Sequence, residues 1–266
     1  MVAEISRATT LAEPAWRRAR ADRDFGSLVR HLRTILDLQR AAAEHLGYDD
    51  HPYDGLLDRY EPGATKSRLE PMFEDLKSGT AGMVRAAADG RTASLRGTFD
   101  EGMQETFGKF IASAFGYDWA RGRQDRAPHP FCITFGGPGD VRISTRLSPA
   151  LFATLHEAGP PKDDNRGVLQ DDHWAIGLFG YFPTYTLGNV LSVQLFEAAL
   201  KEHPEIPGEI ERGEFGTLLA WLRKNVHLNG KKHDPEALIE NATGRPPDTG
   251  PYLRYLGEKF GEVYDL

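Results

Sequence analysis

Apolar residues recur at helical spacing along most of the chain, and this pattern predicts a mainly α-helical protein. Within residues 12–46, one apolar seam includes Phe25, Leu28 and Ile35, and Gly47 is suited to end that helix. In another predicted helix, Met103, Phe107, Phe110 and Ile111 are expected to face inward. The predicted helices cover about 12–46, 65–84, 100–115, 187–202 and 209–228, a segment capped by Asp234, and the region around 252–263.

The hydrophobic pattern changes to a strand pattern in one region. The runs HPFCITF (129–135) and DVRISTR (140–146) are short and rich in β-formers, and four residues, Gly-Gly-Pro-Gly, separate them. A phosphate-binding loop is the alternative for these glycines, but no lysine and no helix follow at the required places. We therefore predict a β-hairpin at about 130–146 within a single, mostly helical domain of residues 1–266, with residues 51–65 as a connector.

Composition narrows the class of protein. The net charge of −7 and the pI near 5.7 argue against a general binder of nucleic acids or anionic membranes. No apolar run approaches the length of a membrane span. Cys132 is the single cysteine, so an intrachain disulfide is impossible, and a reducing, cytoplasmic location is expected.

Residues 148–160 carry half of a zinc-peptidase pattern. Ser148 is suited to cap a helix whose apolar face is Leu151, Phe152 and Leu155, and His156 and Glu157 follow that face. A zinc peptidase needs a second His four residues after the first, since this spacing lets two imidazoles reach one ion beside a Glu general base. Pro160 occupies that position and carries no ligand atom. The alternative interpretation of His156 and Glu157 is a polar pair at a helix end.

Two later segments concentrate polar and aromatic groups. In GVLQDDHW (167–174), Gln170, Asp171 and His173 bring together an amide, a carboxylate and an imidazole, which suits orientation of a ligand or stabilisation of an oxyanion. The alternative is a loop that caps neighbouring helices. In GYFPTYTLG (180–188), Tyr181 and Tyr185 offer phenol donors, although aromatic residues more often line a core or cleft.

Asp140 and Arg142 lie two residues apart on a predicted strand and therefore share one face. This spacing allows an ion pair that takes part in binding, but an ordinary surface ion pair is the commoner explanation.

Taken together, these stretches resemble the carboxypeptidase Taq family of thermostable metallocarboxypeptidases of the zincin class. Residues 129–131 match the HPF motif, and residues 140–144 match D-x-R-x-T with Ser in place of Thr. Residues 167–174 match G-x-x-Q-D-x-H-W at every fixed position. HPYDGLLDRYEPG and FGYFPTYTLGN are also similar to family sequences.

The resemblance implies a helical zincin-like fold with a deep cleft and release of single residues from peptide C-termini. It also implies zinc or cobalt, held by the two His of HExxH and a later Glu. For this sequence, the resemblance implies that His156 is a metal ligand and Glu157 the general base. It also implies that His173, with Tyr181 or Tyr185, stabilises the transition state or the substrate. The candidates for substrate binding are Asp140, Arg142, Gln170 and Asp171.

The sequence also departs from the family pattern. Besides Pro160, the segment that supplies the third ligand and the later Ile/Val-Arg-x-x-Ala-Asp motif have no counterpart, and seven residues (160–166) stand where the family has several helices. We expect a chain truncated internally and at its N-terminus, with carboxypeptidase activity lost or impaired and no stably bound metal. The alternatives are a non-catalytic peptide-binding or assembly module and a fragment without function. Uncovered apolar surface would favour a homodimer or non-specific association.

Overall fold

The computed structural model describes residues 1–89, 100–126, 132–134, 141–145, 163–164 and 167–264. Helices dominate these residues, as predicted from the hydrophobic pattern. They are α1 (Val2–Asp22), α2 (Gly26–Leu46), α3 (Pro52–Leu57), α4 (Lys66–Asp89), α5 (Glu101–Ala114), α6 (Pro183–Glu202), α7 (Ile206–Glu211), α8 (Gly216–Leu222), α9 (Pro235–Thr243) and α10 (Gly250–Tyr264).

Three predicted boundaries are wrong. The helix predicted over 12–46 is two helices, because Arg23 adopts a left-handed conformation (φ 57°) and ends α1. The helix predicted over 209–228 breaks at Gly213 (φ 75°) before α8, which continues into a π-helical turn over Arg223–His227. The connector predicted over 51–65 contains α3, which starts with a cap from His51 and Pro52 in its first turn.

The chain divides into two compact units. One unit contains α1 to α4, most of α6, α9 and α10, and the other contains the sheet, α5, α7 and α8. The single domain of residues 1–266 stays a prediction.

The core of the first unit is built on the pairing of α1 with α2. Small buried side chains of α1, Ala12, Ala15 and Ala19, allow the two helices to approach closely, and Leu28 and Ile35 of α2 pack against them. Residues from later in the chain complete these clusters, namely Leu169 and Ala175. The loop that holds the G-x-x-Q-D-x-H-W motif is therefore part of the core of this unit.

The sheet of the second unit has three strands, β1 (Arg123–Arg126), β2 (Cys132–Thr134) and β3 (Val141–Thr145), in the order β1-β3-β2. Strands β2 and β3 are antiparallel, with Ile133 opposite Arg142, as predicted for these two segments. The glycine-rich segment predicted as their connection, within 135–140, lies outside the described residues. Strand β1 lies parallel to β3 and was not predicted, since its sequence, Arg-Gln-Asp-Arg, lacks the apolar alternation of a strand.

Helix α5 begins after the N-cap Asp100, close to its predicted start. The prediction that its apolar face points inward is wrong, because Met103, Phe107 and Phe110 are 73%, 65% and 53% exposed. Helical spacing shows which side chains share a face, but it does not show whether another element covers that face.

Candidate functional site

The loop of residues 167–182 is fixed to the first unit by hydrogen bonds to its backbone. Trp16 of α1 donates from Nε1 to the carbonyl oxygen of Leu169 at 3.0 Å, and Leu169 itself is fully buried. Gln39 of α2, also buried, donates from Nε2 to the carbonyl oxygen of Gly177 at 3.0 Å. These bonds hold the polar motif on two rigid helices, which favours a fixed geometry for its side chains.

Gly180 allows this loop to pass close to α3. Its φ is 90°, and a Cβ atom at this position would lie 2.6 Å from the carbonyl oxygen of Leu56. A side chain is therefore excluded both by the backbone conformation and by the neighbouring carbonyl. The close approach places the following residues, Tyr181 to Tyr185, beside the motif.

His173 is the centre of the arrangement. Its side chain is buried, with 5% of the residue exposed, and its Nε2 atom lies 2.9 Å from the hydroxyl oxygen of Tyr185. Its Nδ1 atom lies 3.8 Å from a carboxylate oxygen of Asp172. That separation is longer than a hydrogen bond. The hydrogen bond to Tyr185 favours a fixed orientation of the ring.

Aromatic rings surround the imidazole. Its centroid lies 5.7 Å from that of Tyr181, with the rings nearly parallel at 22°, and 4.9 Å from that of Phe182. Tyr181 also packs edge-on against Tyr60 and Tyr185, with centroids 5.3 Å apart in each case. We call His173, Tyr181, Phe182 and Tyr185 the His173 cluster.

The surroundings of the cluster disfavour phenolate formation. Burial, followed by the neighbouring Tyr181 and the carboxylates of Asp171 and Asp172, raises the pKa of the Tyr185 phenol above its ordinary value. Tyr185 is nevertheless 47% exposed, and Trp174 and Phe182 are 43% and 37% exposed. The cluster therefore presents a neutral phenol and apolar rings to solvent around a buried imidazole, which suits contact with a ligand more than proton abstraction.

The structure brings some of the predicted site residues together. His173, Tyr181 and Tyr185 are in direct contact, and Asp171 is exposed beside them. Gln170 is half-buried in the same loop. Arg142 lies in the other unit on β3. Three further predicted residues, His156, Glu157 and Asp140, lie outside the described residues.

Three residues of this site were not predicted. Asp172, rather than Asp171, is the acid beside the imidazole, and Phe182 and Tyr60 complete the aromatic packing. The repeated acid in QDDH was the available signal for Asp172, but the conformation of the loop decides which acid faces the ring. Tyr60 lies far away in sequence, so spacing gave no signal for it.

The described residues do not fit a bound metal. No group of three His, Cys, Asp or Glu side chains within the described ranges is arranged to hold an ion. The Nε2 atom of His173 is hydrogen-bonded to Tyr185, so this nitrogen is not free to coordinate an ion. None of the described helices is long and apolar enough to cross a membrane.

Comparison with known proteins identifies the family. The family model of the carboxypeptidase Taq (M32) metallopeptidases matches residues 1–161 and 160–260. The chain belongs to this family, and the resemblance inferred from the sequence motifs is confirmed.

Individual relatives and solved structures agree with this assignment. Thermostable carboxypeptidase 1 of Thermus thermophilus is 28% identical over 407 residues, which covers 99% of this chain and 80% of the relative. Carboxypeptidase 1 of Bacillus subtilis is 25% identical over 390 residues, with 96% and 78% covered. The crystal structure of the M32 carboxypeptidase from Deinococcus radiodurans R1 is similar with a TM-score of 0.86 and 26% identity, and the match covers 100% of this chain and 80% of that one.

The chain is shorter than the region to which it aligns. The alignment with the Thermus thermophilus relative extends over 407 residues whereas this chain has 266, so at least 141 aligned positions have no residue here. The two stretches matched by the family model meet at residues 160 and 161.

Proposed function

We propose that this chain is a carboxypeptidase Taq family member whose inherited metal site is incomplete, so that release of C-terminal residues is absent or strongly reduced. The observation that carries the proposal is the junction of the two family matches at residues 160–161. In the family pattern described above, the second His ligand stands at the position of Pro160, and the third ligand lies beyond it. Pro160 therefore replaces the second ligand, and the positions missing from this chain at that junction would include the third ligand.

Coordination chemistry explains why such a loss abolishes activity. A catalytic zinc site normally uses three protein ligands and one water. A single His, here His156, does not hold the ion, lower the pKa of the water and polarise the scissile carbonyl together. Replacement ligands from the His173 cluster are disfavoured, because its imidazole is buried and hydrogen-bonded to Tyr185.

The proposal is tested by assaying the full chain after loading with zinc or cobalt. Release of the C-terminal residue from a blocked dipeptide is measured beside the Glu157→Gln variant and the Thermus thermophilus relative as a positive control. We expect the chain and its variant to be indistinguishable and far below the relative. Turnover that a chelator removes and that Glu157→Gln abolishes would contradict the proposal.

A second candidate function is a non-catalytic peptide-binding or assembly module in the cytoplasm. The exposed rings of Trp174, Phe182 and Tyr185 favour it, because such a surface gives contact area at low entropic cost. Peptide C-termini, the substrates expected from the family, are the proposed ligands. Binding of a peptide with a free C-terminus, but not of its amide, supports this function when no cleavage occurs. Size-exclusion chromatography tests the related proposal that the chain forms a homodimer or associates non-specifically.

A further inference from the structure

A cleft of about 270 Å³ lies in the first unit, and its lining includes no residue of the His173 cluster. The loop of residues 61–64 and the beginnings of α4 and α9 line it together with α6. Its floor is apolar and its rim is charged. The floor residues are Leu69, Met72, Leu187 and Leu191, and the rim residues are Glu61, Arg68, Asp234 and Glu236. We call this the acidic-rim cleft.

The floor of the cleft is pre-formed. Leu69 and Leu187 are each 7% exposed and pack with Leu57, which is fully buried, and with the partly buried Met72. When an apolar part of a ligand covers an apolar surface of this kind at the base of a cleft, the removal of both surfaces from water favours binding.

The loop that forms one wall is fixed by two carboxylates. Buried Asp54 accepts from the backbone N–H of Lys66 at 2.7 Å, which ties the start of α4 to α3. Asp58 accepts from the backbone N–H of Gly63 at 2.8 Å and closes the turn that carries Glu61. The position of Glu61 at the rim therefore comes from an ordered turn, so little conformational entropy is lost when it binds a ligand.

The charges at the rim are unbalanced. Arg68 forms an ion pair with Glu236 across the cleft. Within the described part of the chain, the carboxyl groups of Glu61 and Asp234 make no hydrogen bond or ion pair, and Asp234 does not cap α9 through its side chain. Burial raises the pKa of Glu61, as expected for a half-buried carboxylate without a compensating charge. A cation at this position would relieve that unfavourable desolvation.

We propose that the acidic-rim cleft binds a small amphipathic cation, in which an ammonium group is carried on an apolar body. The ammonium would lie between Glu61 and Asp234, and the apolar body would cover Leu69, Met72, Leu187 and Leu191. A free alkylamine and the amino-terminal apolar residue of a peptide share this chemistry. Anionic ligands of the same size are repelled by the two unpaired carboxylates. The lining of the cleft includes none of the predicted metal ligands.

Isothermal titration calorimetry with n-hexylammonium as the probe tests the proposal. We expect saturable binding to the full chain, with hexanoate giving no binding and neutral hexanol binding more weakly. The Glu61→Gln variant keeps the shape of the side chain and removes its charge, so the affinity for the probe falls about fivefold. The matched control is Glu74→Gln on α4. The carboxylate of Glu74 pairs with Lys77 at the surface outside the cleft, so the affinity of this variant for the probe stays unchanged.

A second pair of probes distinguishes the two sources of the cation. If Leu-Gly-Gly binds and its N-acetyl form does not, the ligand is a peptide amino terminus, and if hexylammonium alone binds, it is a free amine; both results support the proposal. Equal affinity for hexanoate, hexanol and hexylammonium would overturn it, as would no binding of either cationic probe at about 10 mM. Unchanged probe affinity in Glu61→Gln would also overturn it. Asp234→Asn, at an exposed position, repeats the test if the first variant is unstable.

Discussion

The Nε2 atom of buried His173 lies 2.9 Å from the hydroxyl oxygen of Tyr185, twelve residues later in the first turn of α6. This bond joins the G-x-x-Q-D-x-H-W loop to the helix that follows it. Because His173 is 5% exposed, water does not readily replace the phenol as its partner. The bond is therefore expected to stabilise the folded first unit as well as to orient the imidazole.

Replacing Tyr185 with Phe removes the hydroxyl and keeps the ring. We expect the free energy of unfolding to fall by about 1 kcal/mol, since a buried ring nitrogen loses its partner. Urea denaturation followed by circular dichroism measures the change. The matched control is Tyr255→Phe. The exposed hydroxyl of Tyr255 accepts from Lys259 at 3.1 Å, and its removal is expected to leave the free energy of unfolding nearly unchanged. Equal effects of the two variants would contradict a structural role for the His173 bond.

The same phenol gives a pH dependence of stability. The pKa of Tyr185 is raised in the folded chain, so the folded state holds this proton at pH values where the unfolded state has lost it. The stability from this group is fully present below the unfolded pKa of about 10 and is lost as pH rises through the folded value. Urea midpoints measured from pH 8 to about pH 11 should therefore fall less steeply in Tyr185→Phe than in the wild type. A steeper fall in the variant would show that the sign is wrong.

Trp16 provides the link from α1 to the motif loop. In Trp16→Phe the loss of the 3.0 Å bond to the carbonyl oxygen of Leu169 should destabilise the chain by about 1–2 kcal/mol, because that oxygen belongs to a fully buried residue. The control is Trp119→Phe, which removes a bond to Ser113 from an indole that is 36% exposed. Its effect on the urea midpoint should be smaller, and the reverse order would contradict the assigned anchoring role.

Gly180 tests the close approach of the loop to α3. In Gly180→Ala the new Cβ would lie 2.6 Å from the carbonyl oxygen of Leu56, and the residue would have a φ of 90°. We therefore expect the free energy of unfolding to fall by at least about 2 kcal/mol. The control is Gly188→Ala within α6, where nothing lies within 4 Å of the new atom. That variant should gain about 0.5–1 kcal/mol from helix propensity. Thermal melts of the two proteins should shift in opposite directions.

The sequence predicts a helix or strand correctly where residues close together in the chain determine it. Asp100 accepts from the backbone N–H of Met103 at 2.8 Å and marks the start of α5, and the β-formers around Cys132 and Val141 predict the antiparallel pair β2–β3. The break between α1 and α2 was missed because Arg23, an ordinary helix former, takes the left-handed conformation. The turn instead makes a tertiary contact, because the backbone N–H of Phe25 donates to a carboxylate oxygen of Asp164 at 3.0 Å.

In the candidate site, too, the sequence identifies individual residues but not the contacts between distant segments. The motif at 167–174 identifies His173, and the second aromatic segment supplies Tyr185. Their contact depends on the start of α6 at Pro183, four residues before the predicted helix, which places Tyr185 in its first turn. The packing of Tyr60 on Tyr181 depends on how the segment after α3 and the loop fold together, which no pattern in one segment encodes. The nearness of Asp172 to the imidazole depends on the conformation of the loop.

Zinc content is the most direct measure of whether the inherited metal site has been lost. The full chain and the His156→Ala variant are dialysed against zinc at neutral pH, then against metal-free buffer, and bound zinc is measured by plasma mass spectrometry. We predict that both proteins retain well below one ion per chain and that they do not differ. One zinc per wild-type chain, absent from His156→Ala, would contradict the account.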